Sequence, residues 1–202
     1  ADIKVADADA RTYYDQNTAE FKIPAKVAVK LASFSIEDYT DVGAVEDSDV
    51  AAYYDENMEQ FTSTDTNDIS FTSPLEEVEE DIRMTLARKT ALNAANDRAS
   101  EFELALTPGR DDTAPTFEQA AAAFGLNVQT TALFAAGQLI PEAPDAGSDF
   151  SKSAFSLRKT PTEYFSYPLA GEENIYLIAL DRKTEARIPA FEEVKADAME
   201  AA

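Results

Sequence analysis

The chain writes one phrase twice. VADADARTYYDQNTAEF starts at Val5 and VEDSDVAAYYDENMEQF starts at Val45, forty residues later. The identities fall at Val5/Val45, Asp7/Asp47, Asp9/Asp49, Tyr13/Tyr53, Tyr14/Tyr54, Asp15/Asp55, Asn17/Asn57 and Phe21/Phe61. An internal repeat of this length implies two similar supersecondary units. Asp7 or Asp47 is suited to cap a helix N-terminus, with further acids in the first turn. The Tyr pair then falls at the helix end, Asn at its stop, and Phe beyond it. The spacing therefore predicts two helical units, 7–21 and 47–61, whose aromatic residues pack into a core.

Between the copies, residues 26–36 (KVAVKLASFSI) alternate with period two and read as a strand. Residues 62–72 are rich in Ser, Thr and Asp and read as a loop. A helix over 74–107 follows, with Ser73 as N-cap and Pro74 as its first residue. Its apolar positions are Leu75, Val78, Ile82, Leu86, Ala95, Ala99, Phe102 and Leu106. At 1.5 Å per residue such a helix is about 50 Å long, and Pro108-Gly109 ends it. After an acidic linker, 116–126 reads as a short helix closed by Gly125, 127–134 as a strand, 148–157 as a helix and 174–183 as a strand. A terminal helix starts at Pro189, where PAFEEVKADA echoes PLEEVEEDI. The expected fold class is α+β. Residues 1–110 carry the helical repeats, the 26–36 strand and the long helix, and 111–202 form a small sheet with short helices.

Composition narrows the chemistry. The 202 residues include 39 acidic and 17 basic side chains, a net charge of −22. That charge repels phosphate backbones, so nucleic acid is not an expected partner. No Cys is present, which removes disulfides, thiol nucleophiles and thiolate metal sites. No His is present either, so imidazole acid–base chemistry, histidine metal ligation and Ser-His-Asp catalysis are all excluded. Residues 65–76 place Asp65, Asn67, Ser73 and Glu76 at calcium-loop positions. Ile69 and Ser70 stand where an oxygen ligand and a Gly are required, so no metal is expected there. No Gly-rich phosphate loop occurs, and no cofactor is expected. No apolar run reaches the length of a membrane span. The first residue is Ala, and we read the chain as a mature or excised segment.

Laid out in order, these segments resemble the PpiD/SurA group of parvulin-type periplasmic folding factors. The resemblance rests on YYDxN…F, the VAVKLASF strand, the second YYDEN…F, PLEEVEEDIRMTLARKTAL, and the tail from TFEQAAAAFGL to YLIALDRK and PAFEEVKADA. It implies a degenerate parvulin domain in the C-terminal half, with the 26–36 strand joining the strands at 127–134 and 175–181. Active parvulins carry a His in the first strand and another in the last. Here the first offers none, and Tyr176 stands at the second position. The resemblance further implies a proline-binding pocket built from Leu139, Phe150, Phe155 and Tyr176. The function it implies is a non-catalytic chaperone segment that holds unfolded exported polypeptides, in the periplasm. A flanking anchor outside this chain would tie it to the inner membrane, and self-association into a homodimer stays open. A His-free prolyl isomerase and a purely structural assembly scaffold are the alternatives.

Overall fold

The computed structural model of the protein describes residues 6–64, 70–109 and 113–201. Val5 of the first repeat, Asp65, Asn67 and Ile69 of the calcium-like stretch, and Asp111 and Asp112 of the acidic linker lie outside them.

Two long strands set the architecture. β1 (Lys26–Ser35) pairs antiparallel with β7 (Asn174–Thr184), in register from Lys26 opposite Thr184 to Ser35 opposite Asn174. Ala28 faces Arg182 and Val29 faces Leu180, which leaves Asp181 as the extra residue of a bulge. β4 (Gln129–Thr130) and β5 (Phe134–Ala135) pair with the other side of β1, and β6 (Leu169–Ala170) pairs with β7. The 26–36 strand thus joins the C-terminal strands in one sheet, as the resemblance requires. The strand expected over 127–134 is instead two short pieces. Between them Thr131 donates its N–H to the Val29 carbonyl at 2.9 Å, while its Oγ1 accepts the Val29 N–H at 3.1 Å. A hydroxyl stands in for the next ladder carbonyl, and regular pairing stops there.

Period-two alternation sorts the sheet residues onto two faces. Ala32, Phe34, Ile36, Ile175, Leu177 and Ala179 face α3 (Leu75–Leu106) and α4 (Phe117–Ala123). From α3 the stripe Ala91, Ala95, Ala99 and Phe102 meets them, all fully buried. Ala every fourth residue lets the helix axis approach the sheet, and Phe102 fills the space left beside Phe34 and Phe117. This cluster draws on both 1–110 and 111–202, so the two halves share a core. Thr116 and Gln119 form a capping box at the start of α4, and Gly125 (φ +73°) ends it. The opposite face carries Val27, Val29, Leu31, Tyr176 and Ile178 beneath α5 (Ser148–Ser156).

The two Tyr-rich helices, α1 (Asp7–Gln16) and α2 (Asp47–Glu56), end alike. Asn17 returns its side-chain amide to the Tyr13 carbonyl at 2.9 Å, and Asn57 does so to Tyr53 at 2.8 Å. Tyr14 packs on Phe21 with ring centroids 5.4 Å apart, and Tyr54 on Phe61 at 5.3 Å. The Tyr14 hydroxyl donates to the Pro189 carbonyl at 2.5 Å, and that of Tyr54 to the Ser73 carbonyl at 2.6 Å. Both acceptors lie just before a helical segment opening Φ-Glu-Glu-Val, where Φ is Phe191 or Leu75. Even the strand contacts correspond, because Ile23 bridges Arg187 as Ser63 pairs with Phe71. α2 therefore docks on α3, and α1 docks on α6 (Lys195–Ala201) around a separate small core of Ala10, Tyr14, Phe191 and Ala198.

Four local expectations are corrected by these contacts. Asp7 and Asp47 are the first helical residues and not the caps, which are Ala6 and Glu46 without side-chain bonds. Ser73 is extended, because its N–H goes to the Phe61 carbonyl and its own carbonyl to Tyr54, so α3 begins at Leu75 with Pro74 as cap. Within 62–72, β2 (Thr62–Thr64) and β3 (Ser70–Thr72) pair as a hairpin. The helix expected from Pro189 opens as a single 3-10 turn, Phe191–Glu193, behind an extended Ala190 cap, and the Pro189 carbonyl goes to the Tyr14 hydroxyl instead of into a helix. Replacing Tyr14 or Tyr54 by Phe should each cost about 1 kcal/mol, the net worth of one hydrogen bond. Urea unfolding of the two variants measures this, and an unchanged midpoint would show that the hydroxyl does not dock the helix.

Candidate functional site

The residues expected to form a pocket lie on the β7 face turned away from α3. β7 is long and rich in β-branched and aromatic residues, so its alternation is firmly set, and Tyr176 must point to this side with Ile178. Its ring meets Phe150 of α5 edge-on, with centroids 5.7 Å apart at 86°. Each of these two side chains is only 2% exposed. Phe155, one turn further along α5, is half-buried and stacks edge-on against Phe134 at 6.1 Å. Leu139 does not join them. The turn at Gly137 (φ +80°) sends Ile140 into the core and leaves Leu139 86% exposed. Ile140, Ala143 and Leu157 pack into the same cluster as Phe150 and Tyr176, which makes those two rings part of a filled core.

The polar end of Tyr176 is fully engaged. Its hydroxyl donates to Asp145, which also accepts the N–H groups of Glu173 (2.8 Å) and Asn174 (3.0 Å) and the Asn174 side-chain amide. One carboxylate thus clamps the hairpin between β6 and β7. Burial alone would push the Asp145 carboxyl up, but the hydrogen bonds from Tyr176, the Glu173 N–H and Asn174 outweigh it and hold the carboxyl below its usual range. Burial and the bond to Asp145 together raise Tyr176 well above an ordinary phenol. The pair therefore consists of a fixed anion and a phenol that stays neutral and donates. Neither is poised to exchange a proton near pH 7. Gly171 completes the clamp. A β-carbon there would sit 2.5 Å from the Asp145 carboxylate, and 3.0 Å from both the Asn174 carbonyl and the Tyr176 ring.

The family model described as the PPIC-type PPIASE domain matches residues 45–196. The chain belongs to this family of parvulin-type rotamase domains. No curated protein and no solved structure matches the chain. The matched span of the parvulin-type domain runs from just before α2 to just past the 3-10 turn at Phe191, so β1 lies upstream of it while holding a central place in the sheet. Among the described residues, no group of three or more His, Cys, Asp or Glu could hold a metal ion, and no helix is long and apolar enough to cross a membrane.

Asp145 was not legible as part of this site. It sits in PEAPDAG, which reads as a turn, and its four donors come from 28 to 31 residues further along the chain. Among the described residues, the buried Thr131 and Ser166 hydroxyls cap the ladder N–H groups of Val29 and Ile178, and they too carry no local signal.

Gly171→Ala should destabilise the domain by about 1–3 kcal/mol, the usual cost of overpacking, because the added methyl must displace the carboxylate. The pH dependence follows from the two shifts. Asp145, lowered on folding, contributes stability above an unfolded carboxyl pKa of about 3.9 and loses it as the pH falls through the folded value. Tyr176, raised on folding, contributes fully below an unfolded pKa of about 10 and loses it as the pH rises through the folded value. Tyr176→Phe should therefore reduce stability at pH 7 and flatten the alkaline limb of the urea-midpoint profile. An alkaline limb identical to that of the wild type would refute the assignment.

Proposed function

We propose that this chain is a polypeptide-holding segment of a folding factor of the PpiD/SurA kind, working in the periplasm and anchored to the inner membrane through a flanking segment. In this reading its parvulin-type domain is retained for binding and not for catalysis. The observation that carries the reading is Tyr176. It is buried against Phe150 and spends its hydroxyl on Asp145, at the position that the resemblance assigns to a parvulin histidine. No His exists anywhere in the chain to rebuild an imidazole pair.

Prolyl isomerisation must cross a barrier of about 18–20 kcal/mol without breaking a covalent bond. An enzyme lowers it only through contacts stronger in the twisted state than in the ground state. If a paired-imidazole network supplies about 2–4 kcal/mol of that preference, its loss costs roughly 30- to 1,000-fold in rate. Apolar contacts that hold both states equally remain, and these give affinity without acceleration. The charge of −22 suits such a role, because it keeps a complex with an aggregation-prone chain in solution. Unfolded or partly folded exported polypeptides are then the partners.

The test is a proline-limited refolding assay beside an aggregation-suppression assay on one preparation. Suppression with no more than marginal acceleration is the expected result. Strong acceleration abolished by Tyr176→Phe would replace the reading with a His-free isomerase, and absence of both effects would leave an assembly scaffold.

A further inference from the structure

The free edge of the sheet beyond β6 points to a place where an extended chain can be held. Residues 164–167 continue β6 along β7, with the Leu180 N–H donated to the Tyr164 carbonyl at 2.7 Å and the Ser166 N–H to the Ile178 carbonyl at 2.9 Å. Phe165, bridged to Ala179 between those bonds, must direct its own N–H and C=O away from β7, as every second residue of an antiparallel edge does. On that outer side lies a groove of about 530 Å³. Its walls are the C-terminal turn of α3 (Glu103, Thr107) and the end of α5 (Ser156, Leu157). Tyr167 lines it and is 77% exposed, and Leu104, next in sequence to the lining residue Glu103 on α3, is 72% exposed; both are among the most exposed apolar side chains of the described residues. The charges that face it are Glu103, Glu163 and Arg158, a net acidic set within a strongly acidic molecule.

We propose that this groove binds an extended polypeptide segment bearing apolar side chains and Lys or Arg, which adds to the sheet as a short strand at Phe165. The inference rests on the holding function above and gives it a location different from the filled Phe150–Tyr176 core. An outward N–H and C=O pair calls for an extended backbone, because only a strand presents donor and acceptor together at that spacing. Leu104 and Tyr167 supply apolar contact to alternate guest side chains, and Glu103 and Glu163 favour a cationic guest. Pro168 has no N–H to offer and confines pairing to the few residues before it, which also keeps the edge from templating unlimited association.

The chain has no native Cys, so Ser156→Cys places a single environment-sensitive fluorophore at the groove wall. The probe is an alternating Val/Phe peptide with flanking lysines, tested beside a glutamate-flanked version and a version N-methylated at alternate residues. The lysine peptide should bind. The glutamate and N-methylated versions, and the lysine peptide on the Leu104→Ser/Tyr167→Ser variant, should bind roughly tenfold more weakly or worse. Both substituted residues are largely exposed, so the fold is expected to survive, and circular dichroism checks it. Equal binding of the N-methylated peptide, or equal binding to the variant, overturns strand addition at this edge. Aggregation suppression by the same variant separates the two ideas. Suppression that survives Leu104→Ser/Tyr167→Ser removes the groove and leaves holding intact. Peptide binding without suppression supports the groove and removes holding.

Discussion

The β1–β7 ladder is the constraint on which the rest of the molecule depends. It joins residues about 150 positions apart, and every buried cluster of the sheet is assembled on one side of it or the other. A one-residue slip would exchange the two faces, moving Phe34 and Leu177 out from under α3 and Tyr176 out from against Phe150. The bulge at Asp181 and the Thr131 hydroxyl both lie at the Ala28–Val29 step, where the ladder changes pairing. These irregularities pin the register, because no shifted alignment would satisfy the same N–H groups.

That ladder also fixes what position 176 of β7 has to hold. The position in β7 still faces the α5 side of the sheet, so a side chain there must be large enough to fill the space over Phe150 and must satisfy any polar atom it brings. Tyrosine meets the first demand with its ring and the second through Asp145. Packing and turn clamping both act on this one side chain, and Gly171 leaves just the space that the clamp needs.

Much of the fold was legible because it rests on local signals. The period-two runs of β1 and β7, the long apolar stripe of α3, the Thr116–Gln119 capping pair and the Asn stops of α1 and α2 each announce themselves within a few residues. The misread segments are those where a distant partner overrides the local preference. Ser73 reads as a cap until the Tyr54 hydroxyl takes its carbonyl, and 127–134 reads as one strand until Thr131 turns its side chain into the ladder. The site followed the same division. Phe150 and Tyr176 meet because helix and strand phase are both readable. Leu139 was misplaced by one residue, because the turn at Gly137 decides which of Leu139 and Ile140 points inward. Asp145 was invisible, since nothing near it in sequence indicates that a hairpin 28 residues later will need an anion.

The matching cradles of α1 and α2 differ in one respect that bears on how the chain comes together. α2 meets its helical partner after a short connection, with Ser73 19 residues beyond Tyr54, so that unit can close as soon as the start of α3 exists. α1 must wait for Pro189, 175 residues beyond Tyr14, and for Phe191, and until then the stacked Tyr14 and Phe21 rings have no helical partner to pack against. During synthesis the first cradle is therefore an open aromatic surface until the segment around Phe191 has emerged, while the second closes early. Closure of the first goes with formation of the intervening sheet, because the pairing of Lys26 with Thr184 and the Ile23–Arg187 bridge beside it bring the two ends together. The same few contacts that act as a fastening in one unit become, in the other, a signal of completion.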